Sequence, residues 1–386
     1  MMRALVVLCS SFLLVNCAAL RSAASGNAGA AVAAAQEAAA KLKKATDDAA
    51  RDCRPLNVRA GKQCEKGDCA NAGQEQQAME DAKAKGFGVA WPEERAIGGA
   101  IAIGFGKSGK GLYVDITDKD PTPLQAKAKD KRTAVKLTAS EKNDLNMYIA
   151  LVGNHLAAGS TRPGIAWTFG VIDNDDTVNA YSTPGGYVLI TTGLLKLMDN
   201  EAQLAAVLAH EIGHVTARHA IKSYASAKAT SCNVAVTGYY LVEAGASNVP
   251  GGEDFVKNAK FGKTMKAFSQ GDVDMDKNPD VDVAFMQWFT NRIIDFQNLT
   301  GNAKEDEYDA DRIAFELMAA AGYDTKELDA IIGKLPSSYS LLAHHPSNSD
   351  RQDALKKMRE EGAFGGEGGK APKFPANVKW PPKPAS

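Results

Sequence analysis

Residues 200–228 read NEAQLAAVLAHEIGHVTARHAIKSYASAK, and at their centre His210-Glu211-Ile212-Gly213-His214 form an HExxH motif. The whole stretch reads as one amphipathic helix. Asn200 followed by Gln203 makes a capping pair that opens it, and Leu204, Val207, Leu208, Ile212 and Val215 give it an apolar face. Histidines four apart project from the same side of a helix. His210 and His214 can therefore converge on one metal ion while the Glu211 carboxylate lies beside the remaining coordination position. Zinc held in this way would act as a Lewis acid on a hydrolytic water, with Glu211 as the base at hand.

A catalytic zinc takes three protein ligands and keeps one position open, so the third ligand must come from elsewhere. His219 fails on geometry: nine residues beyond His210 it lies half a helical circumference away, and an extended motif with a third histidine would need it where Ala220 stands. It reads as a polar residue near the helix end. Downstream, Lys304-Glu305-Asp306-Glu307-Tyr308-Asp309-Ala310-Asp311-Arg312 open a second helix running to about residue 320, with two overlapping Glu-x-x-x-Asp pairs. Glu305 and Asp309 share their side with Arg312 and Glu316, a solvated face, whereas Glu307 and Asp311 align with Ala314 and Met318, which points inward. Glu307 is thus the better third ligand. Asp311, one turn on, can hold a ligand histidine by its outer ring nitrogen and so fix tautomer and orientation.

His210-Glu211-x-x-His214, then Glu307-x-x-Ala310-Asp311, then His345-Pro346 with Arg351 six residues past that histidine, resembles the gluzincin-type zinc endopeptidase family that contains HtpX, BepA and the CAAX prenyl endopeptidase. Asn179-Ala180-Tyr181, Pro184-Gly185-Gly186-Tyr187 and Gly193-Leu194-Leu195 match the family's segment before the zinc helix, so the likeness covers about residues 90–360. The resemblance implies one zinc ion at His210, His214 and Glu307, with Glu211 as catalytic base. It further implies supporting roles for Asp311 and Arg351, substrate alignment by Asn179, Ala180 and Tyr187, and a switch or transition-state role for His345. The implied fold is α+β, mostly helical and zincin-like, with a small antiparallel sheet beside the HExxH helix. Ninety-two residues separate His214 from Glu307, which points to an enlarged insertion around 225–300. No helical-repeat adaptor fits after residue 360.

The beginning of the chain reads as an address. Arg3 precedes an apolar run over residues 4–15 that stops at Asn16-Cys17, too short to span a bilayer but suited to a secretory signal. Leu14-Val15-Asn16-Cys17 resembles a bacterial lipobox, so residues 1–16 read as a signal and Cys17 as the lipidated first residue; ordinary cleavage near Ala18 or Ala23 is the competing reading. No later run of about 18 apolar residues is present, which excludes the multi-pass architecture of HtpX and leaves the soluble or lipid-anchored branch. With Cys9 in the signal and Cys17 on lipid, Cys53, Cys64, Cys69 and Cys232 remain for one or two disulfides in an oxidising compartment, including a short loop among the first three. Their spacing is not that of a zinc ribbon.

Composition is globular, with 45% hydrophobic and 24% charged residues and a formal net charge of −1. It lacks the basic excess of a nucleic-acid partner. Residues 17–89 form an alanine-rich, cysteine-containing helical segment, with helices over about 28–50 and 70–85. Residues 90–360 form the peptidase-like domain, and 361–386 a Gly/Pro/Lys-rich tail. Within the domain, residues 97–104 are a packed helix or turn, and a helix covers 145–156. Three strands follow at 165–172, 178–182 and 187–192 as a meander whose edge could take an extended peptide. In the insertion, Asp272-Val273-Asp274-Met275-Asp276 looks like half a calcium loop, but Lys277 occupies the glycine position and Val283 the final glutamate position. Phe285, Met286, Phe289, Ile293 and Phe296 form a stripe over 283–299 suited to a core, with a lid or lipid contact as the minority reading. These readings converge on an enzyme of the bacterial envelope, on the periplasmic side and lipid-anchored to a membrane, that cleaves misfolded or unassembled envelope proteins; the substrate clause rests on the resemblance. The alternative is a metal-stabilised periplasmic chaperone or assembly factor. It sits poorly with Glu211, since a scaffold needs only the three ligands.

Overall fold

The computed structural model describes residues 28–64, 69–107, 109–113, 139–244, 262–263, 265–267, 269–270, 304–336 and 347–360. The leader with Cys17, the aspartates at 272–276, the apolar stripe at 283–299, His345 and the 361–386 tail lie outside them. The chain divides into two compact units, one of residues 1–89 with 222–285 and the other of 90–221 with 286–386.

In the first unit the alanine-rich segment is α1 (Ala28–Asp52), as its helix propensity dictates. The helices α2 (Arg54–Arg59) and α3 (Ala72–Ala84) follow, α3 being opened by Asn71, whose side chain accepts from the Gln74 amide. Two disulfides close within this unit, Cys53–Cys232 and Cys64–Cys69, so all four cysteines are paired. Residues 222–244, which include the start of the insertion expected around 225–300, thus pack with the N-terminal segment.

The second unit starts with α4 (Trp91–Gly106), which absorbs the apolar 97–104 run, and α5 (Ala139–Ala158). Strands β1 (Thr168–Ile172), β2 (Ala180–Thr183) and β3 (Tyr187–Thr191) lead into the one-turn α6 (Thr192–Leu195) and then α7 (Glu201–Thr216), which carries the HExxH residues. α8 (His219–Glu243) starts in this unit and from Lys222 onward belongs to the first, while α9 (Lys304–Ala320), α10 (Lys326–Lys334) and α11 (Asn348–Glu360) complete the described elements of the second. The architecture is α+β and mostly helical. One core joins Leu145, Ile149 and Leu156 of α5 to Val171 and Ile190 of the sheet, Leu204, Leu208 and Ile212 of α7, and Ala314 and Met318 of α9. Among the described residues no helix is long and apolar enough to cross a membrane.

Two expectations need correction. The sheet is mixed, with order β1-β3-β2, rather than an antiparallel meander: β2 returns into β3 antiparallel through Pro184-Gly185-Gly186, but β1 pairs parallel with β3, Thr168 opposite Tyr187 and Ile172 opposite Thr191. The reason is burial. Tyr187-Val188-Leu189-Ile190-Thr191 is buried at four of its five positions and belongs inside the sheet, whereas half-polar Ala180-Tyr181-Ser182-Thr183 tolerates an edge. The second correction concerns the stretch read as one helix over 200–228. It is two, because α7 ends at Thr216 and Arg218 takes the left-handed conformation, φ 59°, before α8 starts.

Candidate metal centre

The metal helix α7 is fixed before it reaches the motif. The Asn200 side chain accepts the Gln203 amide at 3.0 Å, closing the N-terminus as the capping pair required. Phenols from either side, Tyr148 of α5 and Tyr323 after α9, donate to the Glu201 carboxylate. Farther along, α9 packs closely on α7, where a Cβ on Gly213 would stand 3.0 Å from the Ala310 carbonyl oxygen. The two helices meet backbone to backbone there. That contact puts Glu307 and Asp311, on either side of Ala310, against the two histidines.

The three candidate ligands converge. His210 Nε2 lies 3.1 Å from His214 Nε2 and 3.5 Å from Glu307 Oε2, while His214 Nε2 lies 3.4 Å from Glu307 Oε1. A tetrahedral zinc with bonds of about 2.0–2.1 Å needs ligand atoms about 3.3 Å apart, and the two imidazole nitrogens, and each of them with the Glu307 oxygen that faces it, stand near that spacing. Among the described residues this is the only such group of histidine, cysteine and carboxylate side chains.

Around the triangle each imidazole is held from behind. Asp311 Oδ1 lies 2.8 Å from His210 Nδ1, and Arg351 of α11 grips Asp311 with two donors, Nε to Oδ2 at 2.7 Å and Nη2 to Oδ1 at 2.6 Å. Burial acts to raise the Asp311 carboxyl, but the arginine outweighs it and holds the group down to about 2. Burial likewise disfavours a proton on His210, yet its hydrogen bonds to Asp311 and Glu307 lift the imidazole to about 10. His214 is driven the other way, well below an ordinary histidine, by burial first. Glu211 is buried beside them, and desolvation raises its carboxyl against the opposing charge of His210 and a hydrogen bond from Ser182 of β2. A carboxylate so raised is a better proton acceptor than an exposed one.

Of the residues singled out from sequence, His210, Glu211, His214, Glu307, Asp311 and Arg351 come together here. Asn179 and Ala180 stand at the start of β2, the edge strand that carries Ser182. Tyr187, opposite Thr183, belongs to the other face of the sheet, where the Arg95 guanidinium lies 3.8 Å from its ring centre. Sequence reasoning missed two partners: Ser182, and His219, whose Nδ1 is 2.9 Å from His214 Nδ1. The geometry that dismissed His219 assumed an unbroken helix, and arginine at position 218 carries no signal of a left-handed turn; a glycine or asparagine would have.

Two imidazoles and a carboxylate on two closely packed helices, a buried glutamate beside them and a small sheet alongside define a class of protein, the zincin-like metallopeptidases. The family can be stated more narrowly. Residues 143–359 match the model of peptidase family M48, more than half of the chain, and the chain belongs to that family. It is 27% identical over 257 residues to the beta-barrel assembly-enhancing protease of Yersinia pestis, covering 58% of this chain and 45% of that one. It is 26% identical over 221 residues to the mitochondrial metalloendopeptidase OMA1 of Schizosaccharomyces pombe, covering 55% and 52%. A 75-residue stretch, 19% of this chain and 15% of the other, is 41% identical to the beta-barrel assembly-enhancing protease of Escherichia coli. The chain thus spans about half the length of the relatives it matches. The resemblance read from the motifs is borne out at the level of the family.

Proposed function

We propose that this chain is a zinc-dependent endopeptidase of the bacterial envelope that cleaves misfolded or unassembled envelope proteins. The observation that carries the reading is the convergence of His210, His214 and Glu307, whose facing nitrogen and oxygen atoms stand near the spacing of ligands on one ion, with Glu211 buried beside them. When bound, zinc supplies Lewis acidity to the scissile carbonyl and lowers the pKa of the attacking water. Glu211 takes the proton of that water and later returns it to the leaving amine, which its raised affinity for a proton favours. Asp311 and Arg351 keep His210 in the tautomer that offers Nε2 inward. His345 would stabilise the oxyanion, or would serve as a further ligand in a resting state.

Substrate is aligned along β2. The Thr191 amide donates to the Asn179 carbonyl at 3.0 Å, so Asn179, Tyr181 and Thr183 turn their main-chain groups toward β3. Ala180 and Ser182 turn theirs outward, and among the described residues no strand pairs with them there. An extended peptide adding to this edge passes Glu211 through main-chain hydrogen bonds alone, which accommodates varied unfolded sequences. Export and attachment to a membrane through lipid on Cys17 complete the reading. Two disulfides that use Cys53, Cys64, Cys69 and Cys232 support an oxidising compartment, and the names of the bacterial relatives support an envelope substrate.

The test compares zinc content and casein cleavage for wild type, Glu211→Gln and Glu307→Ala. Glu211→Gln should keep its zinc and lose at least about 100-fold in cleavage rate, and Glu307→Ala should lose zinc. Wild type without zinc would sink the reading. Wild type that binds zinc and unfolded casein without cutting it would instead establish a metal-stabilised chaperone.

A further inference from the structure

His219 is nearly fully buried, and the proposed chemistry gives it no part. We infer that His219 is the positioning residue of the second ligand histidine, accepting the Nδ1 proton of His214 so that its Nε2 faces the metal. The inference rests on the zinc reading above. An imidazole that gives its Nε2 lone pair to a metal is neutral and carries its proton on Nδ1, so whatever faces Nδ1 must accept. For His210 that acceptor is Asp311, at 2.8 Å. For His214 it is His219 Nδ1, at 2.9 Å. His219 must then offer a lone pair at Nδ1 and hold its own proton on Nε2. The side facing Nε2 suits this, since Asp309 Oδ2 lies 3.4 Å away and Asp306 Oδ1 3.8 Å away, both on α9.

The arrangement depends on the break between α7 and α8. In an unbroken helix, positions 214 and 219 point in different directions. The left-handed Arg218 swings the chain back so that the two rings meet edge to face, with centroids 5.0 Å apart. The two ligand histidines are thereby held differently. His210 is backed by a carboxylate fixed by Arg351, and His214 by a second imidazole whose far nitrogen faces carboxylates.

Zinc affinity is the readout, measured on the full chain by competition with a chromophoric chelator for wild type, His219→Ala and His219→Asn. Each protein is first checked for folding by metal-free circular dichroism. His219→Ala removes the acceptor and should bind zinc about 10- to 100-fold more weakly. In His219→Asn the side-chain amide oxygen can stand where Nδ1 stood, so this variant should bind close to wild type. Cobalt substitution adds a second readout: the ligand-field bands should shift in His219→Ala and return in His219→Asn. Undiminished affinity in His219→Ala would overturn the inference, and so would a folded His219→Asn as weak as His219→Ala. Wild type that takes up no zinc would fail the parent reading instead, which separates the two.

Discussion

At residue scale, the two ligand histidines differ in what zinc must displace from them. His210 is lifted to about 10 by its hydrogen bonds to carboxylates, against burial, and so carries a proton at pH 7, whereas His214 is held neutral. Zinc binding must then release close to one proton, and zinc affinity should rise roughly tenfold per pH unit between pH 6 and 8. Because the folded value is raised, this dependence persists until the pH approaches about 10. Calorimetry of zinc binding in buffers of different ionisation enthalpy counts the proton. In Asp311→Asn the leading support of that charge is gone, so proton release should fall along with affinity; unchanged release would mean that Asp311 does not hold the proton on His210. The sequence showed four members of this group because a helix repeats every 3.6 residues: His210 with His214, and Glu307 with Asp311, follow from spacing alone. It did not show His219, because the link between 214 and 219 runs through a backbone turn at Arg218 that no side-chain pattern encodes.

At the scale of elements, most helices were legible and the sheet was half legible. Propensity and capping located α1 and α7, and alternation located the strands. Pairing order depends on contacts between distant residues, and the hydrophobic run of β3 is the local sign that this strand belongs in the interior. The same distance hid how closely α4 approaches the β2–β3 turn. A Cβ on Gly98 would stand 1.6 Å from the Pro184 carbonyl oxygen, so glycine is needed for this approach. Gly104, on the same helix, has open space around it. Gly98→Ala should therefore cost about 1–3 kcal/mol through forced separation of α4 from the turn, whereas Gly104→Ala should gain about 0.5–1 kcal/mol through helix propensity. Thermal melting of the two variants checks the pair. Equal shifts would show that the α4 contact does not hold the hairpin that presents β2.

At the scale of the molecule, the cysteines were countable from sequence but their pairing was not, since four thiols allow three complete pairings. The short loop, Cys64–Cys69, falls within the expected cluster. The long one, Cys53–Cys232, joins residues 179 apart, and only the folding of 222–244 with the N-terminal segment brings them together. Chain entropy makes the two bridges unequal. Closing a loop restricts the unfolded chain more the longer the loop, so in the entropic account the separation of 179 is worth about 5 kcal/mol and the separation of 5 about 2 kcal/mol. Burial adds to the difference, because Cys53 and Cys232 are both fully enclosed and Cys64 is not. Denaturant unfolding of Cys53→Ala/Cys232→Ala against Cys64→Ala/Cys69→Ala should therefore show the larger loss in the first double variant, by a factor of about two or more. Equal losses would mean that local packing at each bridge, rather than the constraint on the unfolded chain, sets what the disulfides contribute.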